Sequence, residues 1–402
     1  MRKNYLVCAL SAVCIIAFFF LLNRYGDDHE EKVIRVGYIY VGDASTAYTK
    51  NYIKAQLAIE EIYGDNVINI AKYNIAEGSE DEAIQELINE KCDIIFGASF
   101  GYGESMKEAA KAHPEIRFCH ATGVLDAEAR KIPNYHTFMG HIYEGRYITG
   151  VVAGMKLQEM IDEGIITAEE AKLGYVAAFP YAEVISGYTA FFLGAKNYCP
   201  SATMDVMYTN SWSDYMTEKK YAEQLIEEGC IIIGQHSDTA GPAVACERAK
   251  EDHPVYNISY NQSMVGVAPT SSLVGCRINW EPYMTAVVGA VLKGKNIESV
   301  FTNGVKINGT DAGAGFVQDW VEMTELNTII AASGTQEEIN KCIEDFRKGT
   351  ISVFAGDYVG VDPFDPADTY NLQTEFKENA TLSAPAFHYV LQDVIHIIDA
   401  EE

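Results

Sequence analysis

The fold class is indicated by a construction that occurs twice in the chain, Asp93-Ile-Ile-Phe-Gly-Ala-Ser-Phe-Gly-Tyr102 and Cys230-Ile-Ile-Ile-Gly-Gln-His-Ser-Asp-Thr239. Each copy is a short apolar run that ends abruptly in Gly and small polar residues and then passes into a helical pattern. Such a run is typical of a strand that is buried on both faces of a parallel sheet. Ligands of open α/β sheets bind at the carboxyl ends of the strands. The two copies therefore predict two α/β lobes that face each other across a small-molecule cleft.

Strand and helix patterns alternate on both sides of these two stretches. A first strand is predicted from Val33 to Tyr40, and the pattern restarts at Lys172 after a long helix in which Gly150 and Gly154 leave room for close packing. Such alternation predicts βαβ units and parallel sheets. The predicted divisions are an N-terminal anchor or signal with a linker (1–32), a first lobe (33–140 plus 278–300), a second lobe (141–277 plus 301–356) and a C-terminal tail (357–402). We expect the tail to be rich in loops, with an amphipathic helix from about Phe387 to Ile398.

The first residues predict a membrane anchor. Met1-Arg2-Lys3 precedes an apolar stretch from Tyr5 to Leu22, which as a helix would be long enough to span the hydrocarbon of a bilayer. The basic residues favour an orientation that exports the rest of the chain. No small-residue cleavage site follows Leu22, so an uncleaved anchor is favoured over a removed signal, and Val13 before Cys14 makes a lipoprotein the less favoured alternative. We expect the protein at the extracytoplasmic face of the cell membrane.

Composition limits the partners of the chain. The net charge of −27, from 57 acidic and 30 basic residues, would repel nucleic acid. A chain of 402 residues with 48% hydrophobic residues can build two lobes with ample core. The Cys residues lie mostly in apolar context, and neither they nor the His residues show metal-ligand spacing. We therefore expect no metal and no cofactor.

Several residues at predicted strand ends could contact a ligand. His236-Ser237-Asp238 contains the residue types of a catalytic triad, but three adjacent residues cannot easily form the line that activates a nucleophile, so a binding loop is favoured. Gln235 or Asp238 could bind the edge of a heterocycle, and Asp238 could equally cap the next helix. Trp212 and Trp280 could each stack on a flat ligand or pack inside a lobe. Further aromatic residues occur at strand ends, including Tyr48, Phe100 and Phe179.

Five segments together closely resemble the basic membrane protein family, which comprises the substrate-binding components of ABC importers and is related to purine nucleoside receptors. The segments are Asp93 to Tyr102, His120-Ala-Thr-Gly123, Tyr143-Glu-Gly-Arg-Tyr147 with Gly150-Val-Val-Ala-Gly154, Gly234-Gln-His-Ser-Asp238, and Asn279-Trp-Glu-Pro-Tyr283. The resemblance runs from about Val33 to Gly356. It implies the type I periplasmic-binding-protein fold, in which two Rossmann-like lobes with parallel sheets are joined by three crossovers and close on a purine nucleoside or a related heterocycle.

The resemblance also implies which residues contact the ligand. It assigns Asp43, Tyr48, Ser99 and Phe100 of the first lobe and Phe179, Trp212, Gln235, His236 and Asp238 of the second lobe. Nucleoside-binding relatives carry an acidic residue for the ribose where this chain has Asn261. Because an amide binds a diol less strongly than a carboxylate does, this departure favours a free nucleobase.

The function expected from these observations is that of a monomeric, membrane-anchored solute-binding protein. It would capture a purine nucleobase or nucleoside by hinge closure and present it to an ABC permease in the membrane. The alternative is a small-molecule sensor that signals occupancy to a membrane partner. We expect no enzymatic activity, since the sequence contains neither an activated nucleophile nor a metal site.

Overall fold

A computed structural model of the chain describes residues 32–400, which contain seventeen strands and nine α-helices. The strands are β1 (Ile34–Tyr40), β2 (Val67–Lys72), β3 (Ile94–Ala98), β4 (Arg117–Ala121), β5 (Tyr135–Gly140), β6 (Lys172–Ala177), β7 (Thr203–Tyr208), β8 (Ile232–His236), β9 (Tyr256–Tyr260), β10 (Ser272–Ile278), β11 (Lys306–Asn308), β12 (Asp311–Ala314), β13 (Val321–Met323), β14 (Val359–Val361), β15 (Thr369–Asn371), β16 (Val390–Leu391) and β17 (Ile395–Ile397). The helices are α1 (Ala47–Tyr63), α2 (Glu80–Asn89), α3 (Gly103–Ala112), α4 (Ile142–Asp162), α5 (Ala182–Lys196), α6 (Tyr215–Glu227), α7 (Gly241–Ala249), α8 (Glu281–Leu292) and α9 (Thr335–Lys348).

Two large sheets form the centres of two lobes. The first has the order β11-β12-β5-β4-β3-β1-β2, and the second has the order β13-β10-β9-β8-β6-β7-β17. All neighbours in both sheets are parallel except β11 with β12 and β10 with β13. Strands β3 and β8, which come from the two repeated stretches, are buried at every position. The expected two-lobe α/β fold with mostly parallel sheets is therefore confirmed.

The chain passes between the two large sheets three times, near residues 140–142, 278–281 and 314–321. One part of the expected division differs from this topology, because β11 and β12 lie within residues 301–356 and yet belong to the first sheet. Asp311 pairs with Thr137 of β5, and the pairing continues to Ala314 beside Gly140. The open edge of β5 offers backbone hydrogen-bonding groups to the returning chain, which is why these short strands join the first lobe.

The C-terminal segment differs more strongly from its expectation. The helix expected from Phe387 to Ile398 is wrong: β16 pairs with β14 in a small third sheet, and β17 adds a parallel strand to β7 at the edge of the second sheet. Asp393 has a φ of 61° between the two strands, a left-handed conformation that interrupts a right-handed helix. The segment before β16 contacts both lobes, since Glu378 accepts a hydrogen bond from Ser186 of α5 and Ser383 donates to Asp311 of β12.

Helices α4 and α5 pack unusually closely in the second lobe. A methyl group built on Gly150 would overlap the backbone carbonyl of Phe191, and one on Gly154 would overlap that of Ala195. The expectation that these glycines allow close packing is confirmed. Within residues 32–400 no helix is both long enough and apolar enough to cross a bilayer. The stretch from Tyr5 to Leu22, on which the anchor was predicted, lies outside the described residues.

Candidate ligand-binding site

A cavity lies between the lobes at the carboxyl ends of their central strands. It contains about 440 Å³ of space that no protein atom occupies, counting its open mouth. The residues that line it are Val41, Tyr48, Ser99, Phe100, Thr122, Glu183, Trp212, His236, Asp238 and Tyr260. The first lobe supplies residues that follow β1, β3 and β4, and the second lobe supplies Glu183 of α5 and residues at or after the ends of β7, β8 and β9. This is the position at which open α/β sheets bind ligands.

The wall formed by the first lobe is kept in place by hydrogen bonds behind it. The Ser99 hydroxyl donates to Glu77 at 2.7 Å, and the Ser99 carbonyl accepts a hydrogen bond from Nε2 of His120 at 2.7 Å. The Tyr48 hydroxyl lies 2.8 Å from that of Tyr52. These contacts leave Phe100, 41% exposed, with its ring facing the cleft.

Aromatic rings from both lobes meet at the cavity. Phe179 stacks on Tyr181 with ring centroids 5.0 Å apart, and it meets Trp212 edge-on at 5.2 Å. Phe100 of the first lobe lies 5.7 Å from Tyr181 of the second. Since such rings attract one another and other flat π-systems, they can close over a planar ligand.

Two carboxylates line the second-lobe side of the cavity. Asp238 follows β8, and its Oδ1 accepts a hydrogen bond from the Asn261 side chain at 2.8 Å. Burial, followed by the nearby Glu218, raises the pKa of Asp238 to about 7. Glu183, in the first turn of α5, places Oε1 3.5 Å from Nε2 of His236. The cavity therefore offers carboxylate oxygens to a ligand that carries N–H or O–H donors.

His236 is neutral at pH 7 because burial, assisted by the nearby Arg146, lowers its pKa to about 4. Arg146 lies behind the cavity wall, with its guanidinium 3.7 Å from the ring centre of Tyr260 and a 2.7 Å hydrogen bond to the carbonyl of Gln235. Among the described residues that line the cavity there is no Lys or Arg, so these residues present no cation to an anionic ligand.

The structure brings six of the eleven candidate residues together in the cavity: Tyr48, Ser99, Phe100, Trp212, His236 and Asp238. Between the two alternatives for Asp238, the structure shows the side chain at the cavity, while the cap position of α7 is occupied by Ala240. His236 faces Glu183 rather than the Ser237 hydroxyl, so the adjacent residues do not form a triad.

The other five candidates do not line the cavity. Asp43 accepts hydrogen bonds from Ser45 in a turn before α1. Gln235 donates to the carbonyls of Ser237 and Thr239 and so shapes its own loop. Their positions follow from local hydrogen bonding, because short polar side chains near a turn bond the neighbouring backbone.

Phe179, Asn261 and Trp280 lie behind the lining residues. Phe179 supports Trp212 through the ring contact described above. Trp280 is 2% exposed and stacks on Tyr52 with ring centroids 4.5 Å apart, which makes it part of the core next to a crossover. Asn261 is also 2% exposed, and it contacts Asp238 instead of the open cavity.

Four lining residues were not among the candidates: Val41, Thr122, Glu183 and Tyr260. Val41 directly follows the strand predicted to end at Tyr40, and Thr122 lies in the segment His120 to Gly123 that carries the family resemblance, so both could have been indicated. Tyr260 is the last residue of β9, so its strand end was a signal, but it was hard to single out among the 25 Tyr residues of the chain. Glu183 carried no such signal, because many carboxylates start helices. Among residues 32–400, the group of side chains that could converge on a metal ion, Asp362, Asp368 and His388, belongs to the third sheet and not to the cavity.

The fold and the cavity together define a two-lobe small-molecule-binding protein of the periplasmic-binding-protein class. Residues 41–351 match the model of the Bmp family, described as ABC transporter substrate-binding protein, PnrA-like. The chain belongs to this family of substrate-binding proteins, as the sequence resemblance indicated.

Two relatives agree with this assignment, and a solved structure agrees with the fold. A purine-binding protein of Brucella abortus is 32% identical over 67% of this chain and 72% of its own length. A putative ABC transporter glucose-binding protein of Haloferax volcanii is 27% identical over 78% of this chain and 74% of its own length. The structure of an ABC transporter solute-binding protein from Conexibacter woesei superposes with a TM-score of 0.59 at 15% identity, covering 79% of this chain and 98% of that one.

Proposed function

We propose that this protein captures a purine nucleobase or nucleoside by hinge closure and presents it to an ABC permease. The observation that carries the proposal is the composition of the cavity, which is lined by aromatic rings from both lobes and by the carboxylates of Asp238 and Glu183. Flat heterocycles stack on aromatic rings, and their ring N–H and amino groups donate to carboxylates. The 32% identity to a purine-binding protein supports the same ligand class.

The charges of the cavity narrow the ligand class further. Two acidic residues and no Lys or Arg line the space, so a phosphorylated nucleotide would meet like charge without a compensating cation. An uncharged purine avoids this repulsion. Closing the lobes removes water and strengthens the polar contacts that select the ligand.

Within this class, the surroundings of Asn261 favour a free nucleobase over a nucleoside. Its side-chain N–H group donates to Asp238, and its side-chain oxygen accepts a hydrogen bond from Asn51. Both ends of the amide therefore have protein partners in the described structure. A ribose diol would have to displace them.

A thermal-shift screen of the purified protein tests the ligand class. The panel contains adenine, guanine, hypoxanthine, their ribonucleosides and D-glucose, because a 27% identical relative is named as a putative glucose-binding protein. A ligand at one hundred times its Kd stabilises the folded state by ~2.7 kcal/mol, which gives a clear rise in Tm. We expect the largest rise with a purine base. A response to D-glucose alone would refute the purine proposal.

The membrane anchor and the transport role are part of the same proposal. We propose that the segment from Tyr5 to Leu22 anchors a monomer at the extracytoplasmic face of the membrane. Protease treatment of intact cells should then digest the protein, and the detergent-extracted protein should have a monomeric mass in light scattering. Deletion of the gene should abolish uptake of the bound purine, whereas a sensor would leave uptake by the permease intact.

A further inference from the structure

A chain of hydrogen bonds links the two lobes next to the cavity. Asn51 lies on α1 of the first lobe and is 5% exposed. Its side-chain N–H group donates to the backbone and side-chain oxygens of Asn261 at 3.2 and 3.3 Å. Asn261 follows β9 of the second lobe, and its own side-chain N–H group donates to Oδ1 of Asp238 at 2.8 Å. We call this arrangement the Asn51–Asn261–Asp238 relay.

The relay has a direction that is set by its first member. Because Asn51 donates to the oxygen of the Asn261 amide, the nitrogen of that amide is turned toward Asp238. The opposite orientation would place two N–H groups face to face and the amide oxygen against a carboxylate, leaving buried polar groups unsatisfied. The backbone of Asn261 is also constrained, with a φ of 64° and an N–H group that donates to the carbonyl of Cys276.

We infer that Asn51 and Asn261 are positioning residues that couple lobe closure to ligand binding. Closure brings Asn51 onto Asn261, and Asn261 in turn fixes the carboxylate of Asp238 at the cavity. Neither asparagine needs to contact the ligand. The inference rests on the proposed function in one respect, namely that Asp238 is a ligand-binding group.

The consequence is that part of the ligand affinity originates from a residue outside the cavity. A contact made only in the closed state shifts the open–closed equilibrium toward closure, and a ligand that needs the closed state then binds more tightly. Loss of the relay should therefore weaken binding even though the cavity wall stays complete. It should also increase the open population of the ligand-free protein.

Two substitutions of Asn51 and one control test the relay, with adenine as the probe and D-glucose as a second probe. Asn51→Ala removes the donor and should raise the Kd about tenfold, the effect of one or two hydrogen bonds. Asn51→Asp keeps the shape but can only accept, so Asn261 would turn its oxygen toward Asp238, and the Kd should rise further. Lys50→Ala changes the net charge by the same −1 from an exposed neighbour and should leave the Kd unchanged.

A pH profile separates positioning from a general structural effect. Besides Asn261, three charged groups act on the carboxyl of Asp238: Glu183 of α5, Glu218 of α6 and Arg146 of α4. Adenine binding should be lost as the pH falls and the carboxylate of Asp238 takes up a proton. Asn261→Ala removes a hydrogen bond that lowers the pKa of this carboxyl, so the pH at which half of the binding is lost should move upward. A weakened Kd with an unchanged pH midpoint would contradict the inference.

Small-angle scattering on the ligand-free full chain provides a readout that does not need any ligand. Asn51→Ala should have a larger radius of gyration than wild type and Lys50→Ala. Equal radii of gyration for all three proteins would overturn the inference that Asn51 couples lobe closure to ligand binding. If wild type binds D-glucose but not adenine, the purine proposal is refuted. The role of Asn51 and Asn261 is still tested in that case, by the Kd for D-glucose and by scattering.

Discussion

Replacement of Asp238 by Asn should make the ligand-free protein more stable, and the gain should depend on pH. Burial and the neighbouring Glu218 raise the pKa of Asp238 from 3.8 to about 7. An acid whose pKa is raised in the folded state retains its proton where the unfolded chain has lost it, so stability falls as pH rises between the two values. The gap between these two pKa values amounts to at most about 4 kcal/mol above pH 7.

The substitution keeps the hydrogen bond from Asn261, because the amide of Asn offers an oxygen of the same shape. The gain of Asp238→Asn over wild type should be about 1–2 kcal/mol at pH 5 and about 4 kcal/mol at pH 8. Buried His236, whose pKa is lowered to about 4, decreases the stability of both proteins at acid pH. Its contribution therefore cancels when the stability of wild type is subtracted from that of Asp238→Asn.

Thermal unfolding followed by circular dichroism at pH 5 and pH 8 measures this effect. For a lobe of about 200 residues, 1 kcal/mol shifts Tm by roughly 2–4 °C, so the Tm gain should increase by roughly 5–10 °C between the two pH values. Asp43→Asn is the matched control, since it removes the same charge from a carboxyl whose pKa is lowered by hydrogen bonds from Ser45. An equal Tm gain at both pH values, or a Tm loss at pH 8, would refute the electrostatic account. The same variant should bind the purine more weakly, because a carboxylate that is unfavourable in the ligand-free protein is the group that binds the ligand.

Four further substitutions test other parts of the structure. Trp212→Ala should weaken purine binding about tenfold in calorimetry, since one stacking contact is worth roughly 1–3 kcal/mol. Trp280→Ala should instead mainly lower the free energy of unfolding, by roughly 3–5 kcal/mol in denaturant titration, because Trp280 is a core residue. Gly150→Ala should cost about 3 kcal/mol in the same titration because its methyl group overlaps the carbonyl of Phe191, and an unchanged midpoint would contradict the close packing of α4 on α5. His236→Gln should reduce the loss of stability between pH 6.5 and about 4, because in this range the imidazole of the unfolded chain takes up a proton while the buried imidazole stays neutral. A Tm profile parallel to that of wild type would argue against a buried neutral His236.

Local pattern was sufficient for most of the fold. The apolar runs at Asp93 and Cys230 predicted β3 and β8, and the restart at Lys172 predicted β6, because strands covered on both faces need continuous apolar residues. The pattern failed at the C-terminus, where β16 and β17 form by pairing with strands that are distant in sequence. Their apolar residues are compatible with a helix, and only the available strand edges select the extended form.

The sequence by itself determined the class of fold and the edge at which the cavity lies, since strand ends can be recognised locally, and it supplied eleven candidate residues of which six line the cavity. It did not separate Trp212, which faces the cavity, from Trp280, which packs on Tyr52, because the two have similar neighbours in the chain. It also placed Asn261 against the ligand, whereas folding places it between Asn51 and Asp238. The contact of Trp280 with Tyr52 and that of Asn261 with Asn51 each join residues more than 200 positions apart, so they arise only when distant parts of the chain pack together.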